Sequence, residues 1–157
     1  MRMTMNLVFI VLTLALWIPP YAHALDNSAG VSVTPLLKTT RSWNGKPIIY
    51  PEGQAEITGL LVEIAPGAKT GWHEHPVPSF GMVVEGILEI TLKSGEVKRL
   101  QSGDALAEVV DTLHNGRNVG TQPVKIMVFY AGAVGKPLTI NHSEMDAAAP
   151  RKNHQEK

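Results

Sequence analysis

From residue 56 onward, apolar and polar positions alternate with a period near two, and turn residues cut the alternation at short intervals. The clearest case is 87–93. Leu88, Ile90 and Leu92 fall on one face, and Glu89, Thr91 and Lys93 on the other. Ser94-Gly95 then makes a hairpin turn, 96–100 returns, and Ser102-Gly103-Asp104 turns again. The same reading predicts strands at 56–64, 70–75, 80–85, 105–110, 113–119 and 124–131, punctuated by Pro66-Gly67, Pro76, Pro78 and Gly86. Phe80, Met82, Val83, Met127 and Phe129 are expected to fill the core, and 31–50 to supply edge strands and an arm. No segment carries a convincing helix of ten or more residues. Many short strands between Gly/Pro turns indicate an all-β barrel or sandwich.

The two ends break this pattern. Positions 7–18 are apolar apart from one Thr, after the basic Arg2, and Pro19, Pro20 and the small-residue site Ala22-His23-Ala24 follow. This is the pattern of a signal peptide on 1–24 cleaved after Ala24. It implies a periplasmic or secreted protein, with no membrane attachment after cleavage. The apolar run falls short of the roughly 20 residues of a spanning helix. The stretch 143–157 is polar, Ala-rich and aperiodic, and is expected to be a disordered tail. The folded domain is therefore drawn at 25–142.

Composition narrows the chemistry. Fourteen basic residues balance fourteen acidic ones in 157 residues, so the electrostatic footprint of a nucleic-acid binder is missing. There is no Cys, which removes disulfides, thiolate metal sites and a Cys nucleophile together. Any metal must be held by His, carboxylate, hydroxyl or amide groups. His73 and His75 are one residue apart on a predicted strand, so both side chains share a face and Glu74 takes the other. His114 opens a later strand. Imidazole is the commonest metal ligand near neutral pH, and three on a rigid scaffold can hold one divalent ion. A lone His-x-His pair is as readily two ordinary histidines, so the surroundings decide.

Those surroundings resemble a known family. Gly67, His73, His75, Ser79 and Gly86 follow the spacing of the first motif of the cupin superfamily, on 67–86. Gly103, Val109, Asp111, His114 and Asn118 follow the second, on 103–118, with sixteen residues between the motifs. Glu usually stands where this chain has Ser79, and Pro and Gly where it has Val109 and Asp111. The chain looks most like small exported quercetin-dioxygenase-like cupins. The resemblance implies a double-stranded β-helix, the jelly-roll barrel, with a short N-terminal arm and one metal ion per subunit on His73, His75 and His114. The ion would be Fe, Mn, Ni, Zn or Cu. With Ser79 in place of a carboxylate, three neutral ligands leave the site at +2, which favours an anionic ligand.

Glu108 ends the strand before the turn that delivers His114, and is the nearest candidate acid or base; its alternative is a rim carboxylate. Asp111 either orients an imidazole or simply forms the turn. Asn118 is expected to satisfy backbone groups, Trp72 to pack on the opposite face from His73, and Tyr50 and Tyr130 to be possible proton donors without known geometry. His142 receives no role. The resemblance implies a metal-dependent enzyme on a small molecule, dioxygenase-like, or alternatively a non-catalytic binding module for a metal or small ligand. It also implies a possible homodimer.

Overall fold

The structure is a computed structural model that describes residues 30–147. The expected signal peptide, 1–24, and the end of the tail, 148–157, lie outside the described residues. The chain divides into two units, Met1–Thr34 and Pro35–Lys157. In the first, the described residues form no strand or helix. The second carries nine strands and one short helix: β1 (Ala55–Ile64), β2 (His73–Glu74), β3 (Ser79–Glu85), β4 (Ile87–Leu92), β5 (Val97–Gln101), β6 (Ala105–Ala107), β7 (His114–Asn118), β8 (Val124–Ala133), β9 (Ile140–Asn141) and α1 (Ser143–Ala147).

Two antiparallel sheets form, in the orders β1-β8-β3-β6 and β5-β4-β7-β2-β9. Alternation sets which side chains meet between them. On β4 the buried positions are Leu88, Ile90 and Leu92, as the period-two reading expects. Ile64, Val83, Leu100, Leu106, Val124 and Ile126 join Leu88 and Ile90 in one core cluster. Gly86 makes the β3–β4 turn at φ +83°, and a Cβ there would lie 2.7 Å from the Pro123 carbonyl oxygen. Only glycine fits that combination. Asn118, fully buried, donates from Nδ2 to the carbonyls of Ile64 and Gln122 and accepts from Gly120 N–H, so it closes backbone valences as expected.

Several boundaries differ from the sequence reading. The strand expected at 70–75 shrinks to β2, because Gly71 takes φ +81° and the Trp72 N–H turns to the Asp146 carboxylate at 3.2 Å. The strand expected at 105–110 ends at Ala107. Residues 35–54 form no edge strand. They fold as a tight loop with a single Arg41–Pro47 bridge, pinned to β6 by Trp43 N–H on Ala107 O at 3.0 Å. The loop covers an edge that would otherwise stand open. The short helix α1 lies just past the boundary drawn at 142, at the start of the stretch expected as a tail.

Met127 and Phe129, expected in the core, are 44% and 48% exposed. Register places them beside Leu61 and Gly59 of β1 and Met82 and Phe80 of β3, on the outer face of the four-stranded sheet. Their neighbours Ile126, Val128 and Tyr130 take the inner face. Among the described residues, no helix is long and apolar enough to cross a membrane.

Candidate metal centre

At one end of the sheet pair, β2, the residue just after it and β7 bring three imidazoles together. His73 pairs directly with His114 across β2 and β7, and His75 follows two residues later on the same side. All three are at most 8% exposed. Ring centroids stand 4.2 Å apart for His73–His114, 4.9 Å for His73–His75 and 5.0 Å for His75–His114. Each residue offers a ligand nitrogen within 4.8 Å of the others. It is the one such group of three or more among the described residues.

Each ring is held by its Nδ1. His73 Nδ1 lies 2.8 Å from Gly71 O, His114 Nδ1 2.8 Å from Thr112 O, and His75 Nδ1 2.9 Å from Leu138 O. A carbonyl only accepts, so these bonds assign the proton to Nδ1 and leave a lone pair on each Nε2. This is the tautomer that presents Nε2 to a metal. Burial also favours the neutral rings of His73 and His75. Desolvation, with the charges of His114 and His73 adding to it, lowers the His75 pKa to about 3 against the backbone bond to Leu138. His73 is lowered too, first by burial and then by His114. The donor set therefore fits a divalent ion.

The remaining walls come from β3 and β8. Ser79 is paired in register with Tyr130. It is 2% exposed, and its Oγ is buried without a hydrogen-bond partner among the described residues. The Tyr130 ring stands edge-on to His75 at 5.2 Å. Burial pushes the Tyr130 phenol above its ordinary value, the Glu108 charge acts the same way, and a hydrogen bond with Thr139 opposes both. Thr139 Oγ1 is in turn 3.2 Å from His75 Nδ1. Phenol, hydroxyl and imidazole thus form a short polar chain.

Comparisons with known proteins agree with this geometry. The family described as Cupin domain (Cupin_2) matches residues 60–130. Residues 60–130 are a cupin domain. It is 31% identical over 86 residues to the cupin-domain-containing oxidoreductase srdB of Neurospora crassa, covering 55% of this chain and 43% of that protein. It is 29% identical over 112 residues to the oryzines biosynthesis cluster protein J of Aspergillus oryzae, covering 71% of this chain and 59% of that one. The chain therefore spans about half the length of these curated relatives. The oxalate decarboxylase of Lactobacillus farciminis, solved as a formate complex, superposes with a TM-score of 0.51 at 22% identity, over 62% of this chain and 29% of that chain. That likeness carries the fold alone.

The other residues singled out in the cupin sequence fall in different places. Glu108 does not join the histidine cluster. Its Oε1 accepts Trp43 Nε1–H at 2.8 Å and Val109 N–H at 2.9 Å, so the carboxylate latches the N-terminal loop to the barrel rim. Asp111 is a turn residue at φ 44°, and its N–H donates to His75 O at 3.0 Å. Glu74 faces away from the cluster and meets His142 at 3.3 Å. Tyr50 is exposed on the arm.

Sequence reasoning missed the carbonyls of Gly71, Thr112 and Leu138, and also Thr139. Two of these sit two residues before a ligand histidine, a local pattern that can be read. Leu138 and Thr139 come from the loop after β8 and have no sequence signal.

Proposed function

We propose that this cupin is a metal-dependent enzyme acting on a small molecule, of the oxidoreductase type, with one divalent ion held by His73, His75 and His114. One observation carries the reading: three buried imidazoles have Nδ1 fixed on backbone carbonyls, which leaves three Nε2 lone pairs for one ion. The name oxidoreductase borne by srdB supports the enzymatic side. A divalent ion bound there supplies Lewis-acid polarisation of a substrate oxygen, with iron or manganese also suited to oxygen chemistry.

The protein groups define what sits beside that oxygen. No carboxylate belongs to the cluster, so charge balance favours an anionic substrate such as an enolate or phenolate. Tyr130, kept protonated by burial and oriented by Thr139, is placed to donate a hydrogen bond. The unpartnered Ser79 hydroxyl offers a second polar group.

A second reading, a non-catalytic module that holds a metal or small ligand, is favoured by Glu108. That carboxylate is engaged by Trp43 and Val109, so it is not a free base at the cluster. The deciding experiment measures metal per subunit in the purified protein and in His114→Ala, then O₂ uptake with diketones, flavonols and catechols. Stoichiometric metal lost in the variant, together with O₂ uptake, supports the enzyme. Metal without O₂ uptake on any substrate, and without isomerase or lyase turnover of them, selects the binding module. Absence of metal in both proteins overturns the enzyme and the metal-holding module, and leaves only a module for a small organic ligand.

Two further expectations belong to the same proposal. Export is supported by the apolar run and the Ala22-His23-Ala24 site, and N-terminal sequencing of the exported protein tests it. A homodimer is supported by the exposed Ile57, Leu61, Met127 and Phe129 on one sheet face, and sedentation analysis by ultracentrifugation tests it.

A further inference from the structure

On the outer face of the five-stranded sheet, away from the histidines, the chain builds a second small cavity. It has a volume of about 190 Å³ and is lined by Lys69, Trp72, Glu89, Thr91, Asn115 and Arg117. Register explains why these residues meet. Thr91 pairs with Asn115 and Glu89 with Arg117 across β4 and β7, and Lys69 bridges to Arg117. Trp72 precedes His73 and so takes the opposite face, as does Asn115 after His114. The same two strand positions that send imidazoles inward send an indole and an amide outward.

Three features of this cavity point to a ligand. The Asn115 side-chain oxygen is buried with no hydrogen-bond partner among the described residues, an uncommon state for a native amide. The lining carries two cations against one carboxylate, and Lys93 Nζ lies over one face of the Trp72 ring, 5.2 Å from its centroid. The main chain that carries the indole is held, because Trp72 N–H donates to the Asp146 carboxylate and Trp72 O accepts His142 N–H at 2.8 Å. An aromatic face beside a few convergent polar groups is the usual build of a small-molecule site. The volume is below the roughly 300 Å³ at which drug-sized pockets begin, so it suits a single ring.

We infer that this outer cavity binds a hydroxylated ring bearing a carboxylate, a hexuronate-type sugar acid. The C–H face of the ring stacks on Trp72. Its hydroxyls donate to Asn115 Oδ1, Thr91 Oγ1 and Glu89, and its carboxylate is met by Arg117 and Lys69, where a guanidinium gives paired, charge-assisted bonds. The inference is independent of the metal reading, since no residue of the histidine cluster lines this cavity.

The test is an amide and indole NMR titration of the full chain with galacturonate, glucose and benzoate. Galacturonate is expected to give saturable shifts at Trp72 Nε1–H and at residues 115–117, and both Arg117→Gln and Asn115→Ala are expected to weaken it about tenfold. Glucose and benzoate, each lacking one half of the recognition, are expected to bind at least tenfold more weakly. The proposal is overturned by absence of saturable shifts, by shifts confined to the histidine end, by equal binding of glucose or benzoate, or by variants that leave the galacturonate affinity unchanged.

Discussion

The two ends of the barrel interior are built from the same strands and filled with opposite chemistry. Along β8 the inward residues run from Val124 and Ile126, through Val128, to Tyr130; along β3 they run from Val83, through Gly81, to Ser79. At the Val83 end every side chain in the cluster is apolar and closely packed. At the Ser79 end three imidazoles, a phenol and an unpartnered hydroxyl are buried together. Apolar burial stabilises the first end. The second end buries polar groups at a cost and offsets it only in part, through carbonyls that hold each Nδ1. The contrast teaches that the apolar end maintains the fold, while the histidine end is organised for an occupant.

That contrast can be broken in four places. The largest effect is expected from Ile90→Ala in the apolar cluster, which should cost about 3 kcal/mol by urea denaturation while metal per folded subunit stays unchanged. Loss of metal from the folded variant would show that the two ends are not separable.

Next comes Gly86→Ala. The left-handed φ and the contact with Pro123 O together predict about 2 kcal/mol or more. Gly103→Ala, at φ +91° with no atom within 4 Å of the added Cβ, should cost about 1 kcal/mol. Equal losses would mean that conformation alone, and not the crowded turn, makes Gly86 necessary.

The histidine end should respond to pH. The folded His75 pKa, about 3, lies below the ordinary 6.5, so below pH 6.5 the unfolded chain takes up a proton that the folded chain refuses. Stability of metal-free protein is therefore full above pH 6.5 and falls as the pH drops toward 3, with a slope approaching about 1.4 kcal/mol per unit from His75 alone. His73 acts in the same direction. Denaturation midpoints at pH 7.5, 6.0 and 5.0 read this, and His75→Gln should flatten the curve. A curve as steep in the variant would place the titration elsewhere.

The smallest effect is expected from Ser79→Ala. Removing an unpartnered buried hydroxyl should leave stability unchanged or raise it by up to about 1 kcal/mol, with metal content preserved. If the variant instead loses metal, the Ser79 hydroxyl serves the ion directly.

Much of this was legible along the chain. The alternation at Leu88, Ile90 and Leu92 named its buried face correctly, and parity put His73 and His75 on one side and Glu74 on the other. On β8, parity puts Met127 and Phe129 on one face and Ile126 and Tyr130 on the other, and the core reading of Met127 and Phe129 chose the wrong face. Parity could not say which set faced solvent, because both sets are apolar and only the partner sheet decides. Glu108 shows a different limit. Nearness in sequence to His114 suggested a place in the site, yet its carboxylate went to Trp43, 65 positions earlier in the chain.

The sequence by itself determined the all-β class, the turn positions and the shared face of His73 and His75, because side-chain direction in a strand depends only on local backbone period. Tertiary structure alone decided that the three histidines meet, that Leu138 and Thr139 hold the ring of His75, and that an indole and an amide share a cavity on the outer face. Those outcomes depend on register and on loop closure between residues far apart in the chain, and no local pattern encodes either.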